Sequence, residues 1–111
     1  MNSRDKAIIS KIRAEADTIA SLISKLDLDI FLSDERTKRA VCMTLINIGE
    51  LVKLLSDDYK KAHDSIPWRK ISGLRDVAAH GYFTLRMTDI WETVVNDIPD
   101  LSEKLKNDPD K

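Results

Sequence analysis

A single cysteine, two histidines, three glycines and three prolines are all that this 111-residue chain offers of the residue types that staple, ligate or break a fold. One thiol, Cys42, cannot close an internal disulfide. Lying in an apolar helical run, it reads as a buried thiol in a reducing, cytoplasmic setting. Two histidines and one cysteine without ligand spacing argue against a structural metal site, so neither a metal nor a resident cofactor is expected. No apolar run approaches the length that spans a bilayer and no signal peptide is visible, so no membrane association is expected. An excess of one charge is missing too: 18 Lys and Arg against 19 Asp and Glu leave a net charge of −1. Such a balance excludes gripping long nucleic acid by bulk charge, and any RNA contact must be local or shared between subunits. Strand alternation, internal repeats and low-complexity segments are absent. The length is that of one domain, residues 1–111, with a modest core.

What remains is amphipathic helix. Ile8, Ile12, Ala16, Ile19, Ile23 and Leu26 recur at spacings of three and four, which predicts a first helix from Arg4 to Leu26 with Ser3 as N-cap. Ile9 and Leu22 widen that stripe. Asp27 to Leu32 reads as a loop, with Phe31 plugging the end of the core. Ser33 is the expected cap of a second helix, with Asp34 and Glu35 in its first turn. Its stripe is Val41, Leu45, Ile48, Val52 and Leu55. Gly49 interrupts this helix at a cost of about 1 kcal/mol against Ala, tolerable only if another helix packs closely there. Glu50 is either a surface carboxylate or a partner for Arg75 or another cation of the following helix. Asp57 to Ser65 is expected to be a polar connection with a solvated His63. Thr88 is the expected cap of the last helix, which Pro99 should kink or restart, and residues 107–111 should fray.

The densest stretch runs from Ile66 to Phe83. Pro67 suits the first position of a helix and Gly81 the position just past its end. That predicts a motif helix from Pro67 to Gly81, with His80 as C-cap and Tyr82 the first side chain beyond the turn. Arg75 and His80, five residues apart, lie about 140° apart around a regular helix, so only a terminal turn would swing the imidazole toward the guanidinium. An Arg, a His and a Tyr around one space suit an anionic phosphate: Arg binds it bidentately, His moves protons near neutral pH, and Tyr donates a hydrogen bond or stacks. The plainer alternative is that His80 merely caps and Tyr82 packs on Val77. Arg69 and Lys70 form a small basic skirt, and Trp68 suits the core better than a base-stacking platform.

Arg75-Asp76-Val77-Ala78-Ala79-His80-Gly81-Tyr82 resembles the R-x4-H-x-Y motif of the HepT-like family of the HEPN superfamily. The likeness extends to Ile46-Asn47-Ile48-Gly49-Glu50, to Ile66-Pro67-Trp68-Arg69-Lys70-Ile71 and to the last helix around Asp89-Ile90-Trp91 and Asp97-Ile98-Pro99-Asp100-Leu101. It covers the chain roughly from Asp5 to Leu105. Composition and resemblance together predict an all-α, up-down helical bundle of four main helices, HEPN-like and dimerising, the wide apolar stripes and Gly49 serving the dimer.

The resemblance implies a metal-independent endoribonuclease, the toxin half of a type VII-like HEPN–MNT toxin–antitoxin pair. Arg75 and His80 would be catalytic and Asp76 supporting. Two motif copies would meet in the dimer cleft. The partner would be a minimal nucleotidyltransferase that adenylylates Tyr82, itself using ATP. The alternative is a non-catalytic regulatory or substrate-binding partner of that nucleotidyltransferase.

Overall fold

In the computed structural model the described residues are 2–84 and 87–106, without the side chains of residues 80–84. All of the regular structure among them is helical. Helix α1 (Ser3–Ile23) and helix α3 (Glu35–Leu54) are the two long members. The first starts one residue before the expected position, because Asn2 caps it, its side chain accepting the Asp5 N–H at 2.6 Å. It also stops short of Leu26. Asp34, not Ser33, caps α3: its carboxylate accepts the Thr37 N–H at 3.1 Å and the Thr37 hydroxyl at 2.8 Å. An ionised cap at a helix N-terminus meets both the orphan N–H groups and the positive end of the dipole.

Two connections expected to be irregular are short helices. Residues 27–32 contribute to α2 (Leu28–Ser33), capped by Asp27. Phe31 is fully buried, as expected of a core plug, and its ring lies 5.1 Å from that of Trp91. The polar run after α3 forms α4 (Asp57–Ala62), capped by Ser56, and it buries Tyr59. His63 is correspondingly not solvated in the way its polar neighbours suggest. It is half-buried, stacks on the Tyr59 ring at 4.1 Å, and its Nδ1 sits 2.9 Å from the Tyr59 carbonyl oxygen. A short helix with one buried aromatic was hidden by its four charged companions.

The predicted motif helix is in two pieces. Helix α5 (Trp68–Ser72) follows Pro67, and helix α6 (Leu74–Thr84) begins after Gly73. Trp68 is a core residue, and its indole N–H donates to the carbonyls of Lys60 and His63 at 3.2 and 3.1 Å. Ile71, Leu74 and Ala78 face inward.

The last element is α7 (Met87–Glu92), a π-helical segment (Thr93–Asp97) and α8 (Ile98–Lys106). Thr88 lies inside α7 rather than capping it. The expected restart at Pro99 takes the form of the π turn: the Ile98 N–H donates to the Thr93 carbonyl, five residues back. Proline lacks an N–H and crowds the preceding turn, and a widened turn relieves both. The tail at 107–111 lies outside the described residues.

Four long elements thus make the bundle: α1, α3, α6 and the α7–α8 rod, with α1 and α6 both packed along α3. Their shared core includes Ile12, Ile19, Phe31, Val41, Leu45, Ile48, Val52, Val94 and Leu101, each at most 1% exposed. Among the described residues no helix is long and apolar enough to cross a membrane.

Candidate functional site

The α3–α6 contact is built on a missing side chain. A Cβ added to Gly49 would lie 2.5 Å from the Arg75 Cβ, 2.9 Å from its backbone N and 3.1 Å from its Cα. Glycine there lets the start of α6 lie directly against the backbone of α3, the close approach that justifies its helix-propensity cost. The close packing expected at Gly49 is therefore real but lies within one chain, so this glycine is not a dimer contact. The apolar stripe beside it is spent on α1 and α6 as well.

One residue further on, Glu50 meets the head of the same arginine. The Arg75 Nε lies 2.6 Å from Glu50 Oε1, and Arg75 Nη1 donates to Asp76 Oδ1 at 3.1 Å. The Nε atom is itself shielded from solvent, and its N–H does not point along the line to Glu50, so that contact is ionic rather than a directed hydrogen bond. The side chains as wholes stay open to water, Arg75 at 42% and Glu50 at 52% exposed. Both readings of Glu50 hold at once: it is a surface carboxylate and it is the partner of Arg75. The hydrogen bond to Asp76, then the charge of Glu50, push the Arg75 pKa further up, so the guanidinium is a permanent cation at the surface.

The motif helix differs from its predicted form where it matters for the site. Helix α6 runs through Gly81 to Thr84, so Gly81 is not a terminator, His80 is not a C-cap, and Tyr82 is not the first residue beyond a turn. Glycine enters helices whenever neighbouring turns hold the backbone, and here the turns on both sides are helical. The continuous helix sets a new register. Residue 80 follows Asp76 by one turn, and residue 82 follows Arg75 by two turns, about 10.5 Å along the axis on the same side. Asp76 is thus hydrogen-bonded to Arg75 and one turn from position 80. The side chains of His80 and Tyr82 lie outside the described residues, and so do the expected approach of the imidazole to Arg75 and the packing of Tyr82 on Val77.

The basic skirt is thin. Arg69 and Lys70 are exposed, and Lys70 is paired with Asp97 at 3.3 Å. Among the described residues no group of three His, Cys, Asp or Glu could hold a metal ion. Cys42 is buried, and burial pushes its thiol pKa up, which keeps it unreactive. Sequence reasoning missed the Gly49 seat for Arg75. Its only signal was a glycine in mid-helix directly before a carboxylate.

Residues 12–107 match the family described as ribonuclease HepT-like. A Thermococcus cleftensis protein named probable ribonuclease HepT is 33% identical over 106 residues, 96% of each chain. A Caldanaerobacter subterraneus subsp. tengcongensis protein provisionally named an RNase is 32% identical over 98 residues, 88% of each chain. A Methanocaldococcus jannaschii protein, also provisionally named an RNase, is 31% identical over 107 residues, 96% of this chain and 92% of its own. No solved structure gives a significant match.

Proposed function

Because this chain belongs to the ribonuclease HepT-like family, we propose that it is a metal-independent endoribonuclease whose nucleophile is the substrate's own 2′-hydroxyl. The observation that carries this reading is the seat of Arg75: a permanent cation held at the surface by Gly49 and Glu50, on the helix that also bears His80. His80 takes the 2′-hydroxyl proton as O2′ attacks phosphorus. Arg75 stabilises the charge that builds on the non-bridging oxygens. The P–O5′ bond breaks, O5′ receives a proton, and the products are a 2′,3′-cyclic phosphate and a 5′-hydroxyl. Asp76, hydrogen-bonded to Arg75 and one turn from position 80, would orient the pair.

The biological setting that fits is a toxin paired with a minimal nucleotidyltransferase. The partner transfers AMP from ATP to the Tyr82 hydroxyl, releasing pyrophosphate, and the added anion sits on the Arg75 side of α6 and competes with RNA. A homodimer would bring two such helices together, and exposed Met43, Leu54 and Val77 supply apolar surface for it. The second reading, a non-catalytic partner of the nucleotidyltransferase, draws support from the two carboxylates that already neutralise Arg75.

Purified protein decides between the two. Arg75→Ala and His80→Ala should each abolish RNA cleavage with unchanged helicity, and EDTA should have no effect. Cleavage that survives His80→Ala, or that needs a divalent ion, overturns the mechanism. Co-expression with a cognate nucleotidyltransferase should add AMP mass to the wild type and none to Tyr82→Phe. Full neutralisation of Tyr82→Phe would replace modification by steric masking.

A further inference from the structure

Glu50 makes an ion pair with Arg75. The pair with Arg75 is about half exposed on both sides, and exposed ion pairs contribute little to folding. Yet the contact is close and specific in place. The Arg75 backbone is fixed by Gly49, leaving the guanidinium at the end of a flexible stem, and Glu50 is the neighbouring residue on the same helix. It meets a guanidinium nitrogen that water does not reach, Nε. With Nε facing Glu50 and Nη1 bonded to Asp76, the described contacts leave Nη2 without a protein partner. A fork held by its stem nitrogen presents its outer N–H groups in one direction, the arrangement needed to meet two phosphate oxygens at once.

We propose that Glu50 is the positioning residue of Arg75: it fixes the guanidinium so that its outer edge faces the phosphate in the transition state. This rests on the ribonuclease reading above and assigns Glu50 a role in it. A tether of this kind acts on charge stabilisation that must be in place before the reaction, so its loss appears in the chemical step. Ground-state binding responds in the opposite sense, because removing an anion beside the bound phosphate removes a repulsion.

The test measures kcat and KM separately on a short RNA, with melting temperature, for Glu50→Ala and Glu50→Gln. Glu50→Ala should lower kcat by tenfold or more, leave KM unchanged or lower, and leave the melting temperature within two degrees of wild type. Glu50→Gln removes the charge that makes the contact and should lose as much. Affinity for the same RNA with a 2′-deoxy sugar at the cleavage site should be unchanged or tighter in both. A kcat within twofold of wild type in Glu50→Ala overturns the proposal. So does a higher kcat, which would make Glu50 a brake, and so does a loss that parallels a fall in melting temperature. Arg75→Ala in the same assay separates the two ideas. If it cleaves like wild type, the site reading itself fails; if it is inactive while Glu50→Ala is not, only the positioning role fails.

Discussion

Replacing Gly49 by alanine would put a methyl carbon 2.5 Å from the Arg75 Cβ and 2.9 Å from its backbone N. Carbon atoms in contact sit at about 3.5–4.0 Å, so one helix has to move by about 1 Å. The neighbours in the way are a backbone nitrogen and a Cβ, which no rotamer change can withdraw. Leu74 and Ala78, both buried, anchor α6 on either side of Arg75 and resist the shift. Two terms then compete. Alanine in mid-helix gains about 1 kcal/mol over glycine, while overpacking a close contact costs about 1–3 kcal/mol. The net is a destabilisation of up to about 2 kcal/mol, a fall in melting temperature of several degrees for a domain of this size. Activity should suffer more than stability, because a displacement of about 1 Å in a catalytic group can cost about a hundredfold in rate. Thermal denaturation by circular dichroism and RNA cleavage rates on the same sample provide both readings. A Gly49→Ala protein that is more stable than wild type and fully active would show that α3 and α6 do not approach as described, and the account of the Arg75 seat would fall with it.

Phe31→Ala should cost about 3–5 kcal/mol in chemical denaturation, since the ring is fully buried and packs on Trp91; a loss under about 1 kcal/mol would mean that α2 is not part of the core. Asp5 is 3% exposed, and its carboxylate accepts the Ser56 N–H at 3.0 Å and the Ser56 hydroxyl at 2.6 Å. Burial alone would raise its pKa, but the two donors from Ser56, with Arg4, bring it below the usual carboxylate value. Its stabilisation is therefore present above the unfolded pKa of about 4 and is lost as pH falls through the lower folded value. Asp5→Asn should cost about 1–3 kcal/mol at neutral pH and flatten the loss of stability below about pH 4; an unchanged acid limb would show that other carboxylates carry it. Sedimentation at micromolar concentration should give a dimer, and a monomer throughout that range would remove the idea of a composite site.

The bundle was legible because its core writes a strong period. Every residue of the stripe Val41, Leu45, Ile48, Val52 and Leu55 is buried. Short helices were not legible, since α2 and α4 bury one residue each and so carry no period to read. Caps were misplaced by a residue at α1 and α3, because Asn2 and Ser3, or Ser33 and Asp34, are equally good caps and only the fold selects between them. At the site, the place of Glu50 on the apolar edge made Arg75 one of its possible partners, beside the other cations of the motif helix and plain exposure to water. The continuity of α6 through Gly81 could not be foreseen, because glycine both ends helices and tolerates their interior. What Gly49 accommodates was equally hidden: a missing side chain announces a close neighbour without naming it.

The π turn ahead of Pro99 makes chain length and proline interdependent. Ile90, Val94 and Ile98 are spaced by four and all face the core, a spacing that drifts about 40° per step on a regular helix. The wider turn over Thr93–Asp97 absorbs the drift, acting as a one-residue surplus that the backbone stores. Deleting one residue from that segment would restore an ordinary helix but drive the proline ring into the turn before it, at a cost of about 3 kcal/mol or more. Deleting it together with Pro99→Ala would leave a continuous α-helix with no ring to accommodate. The two changes should therefore be strongly non-additive, and any redesign that shortens or lengthens this rod has to treat the surplus residue and the proline as one unit.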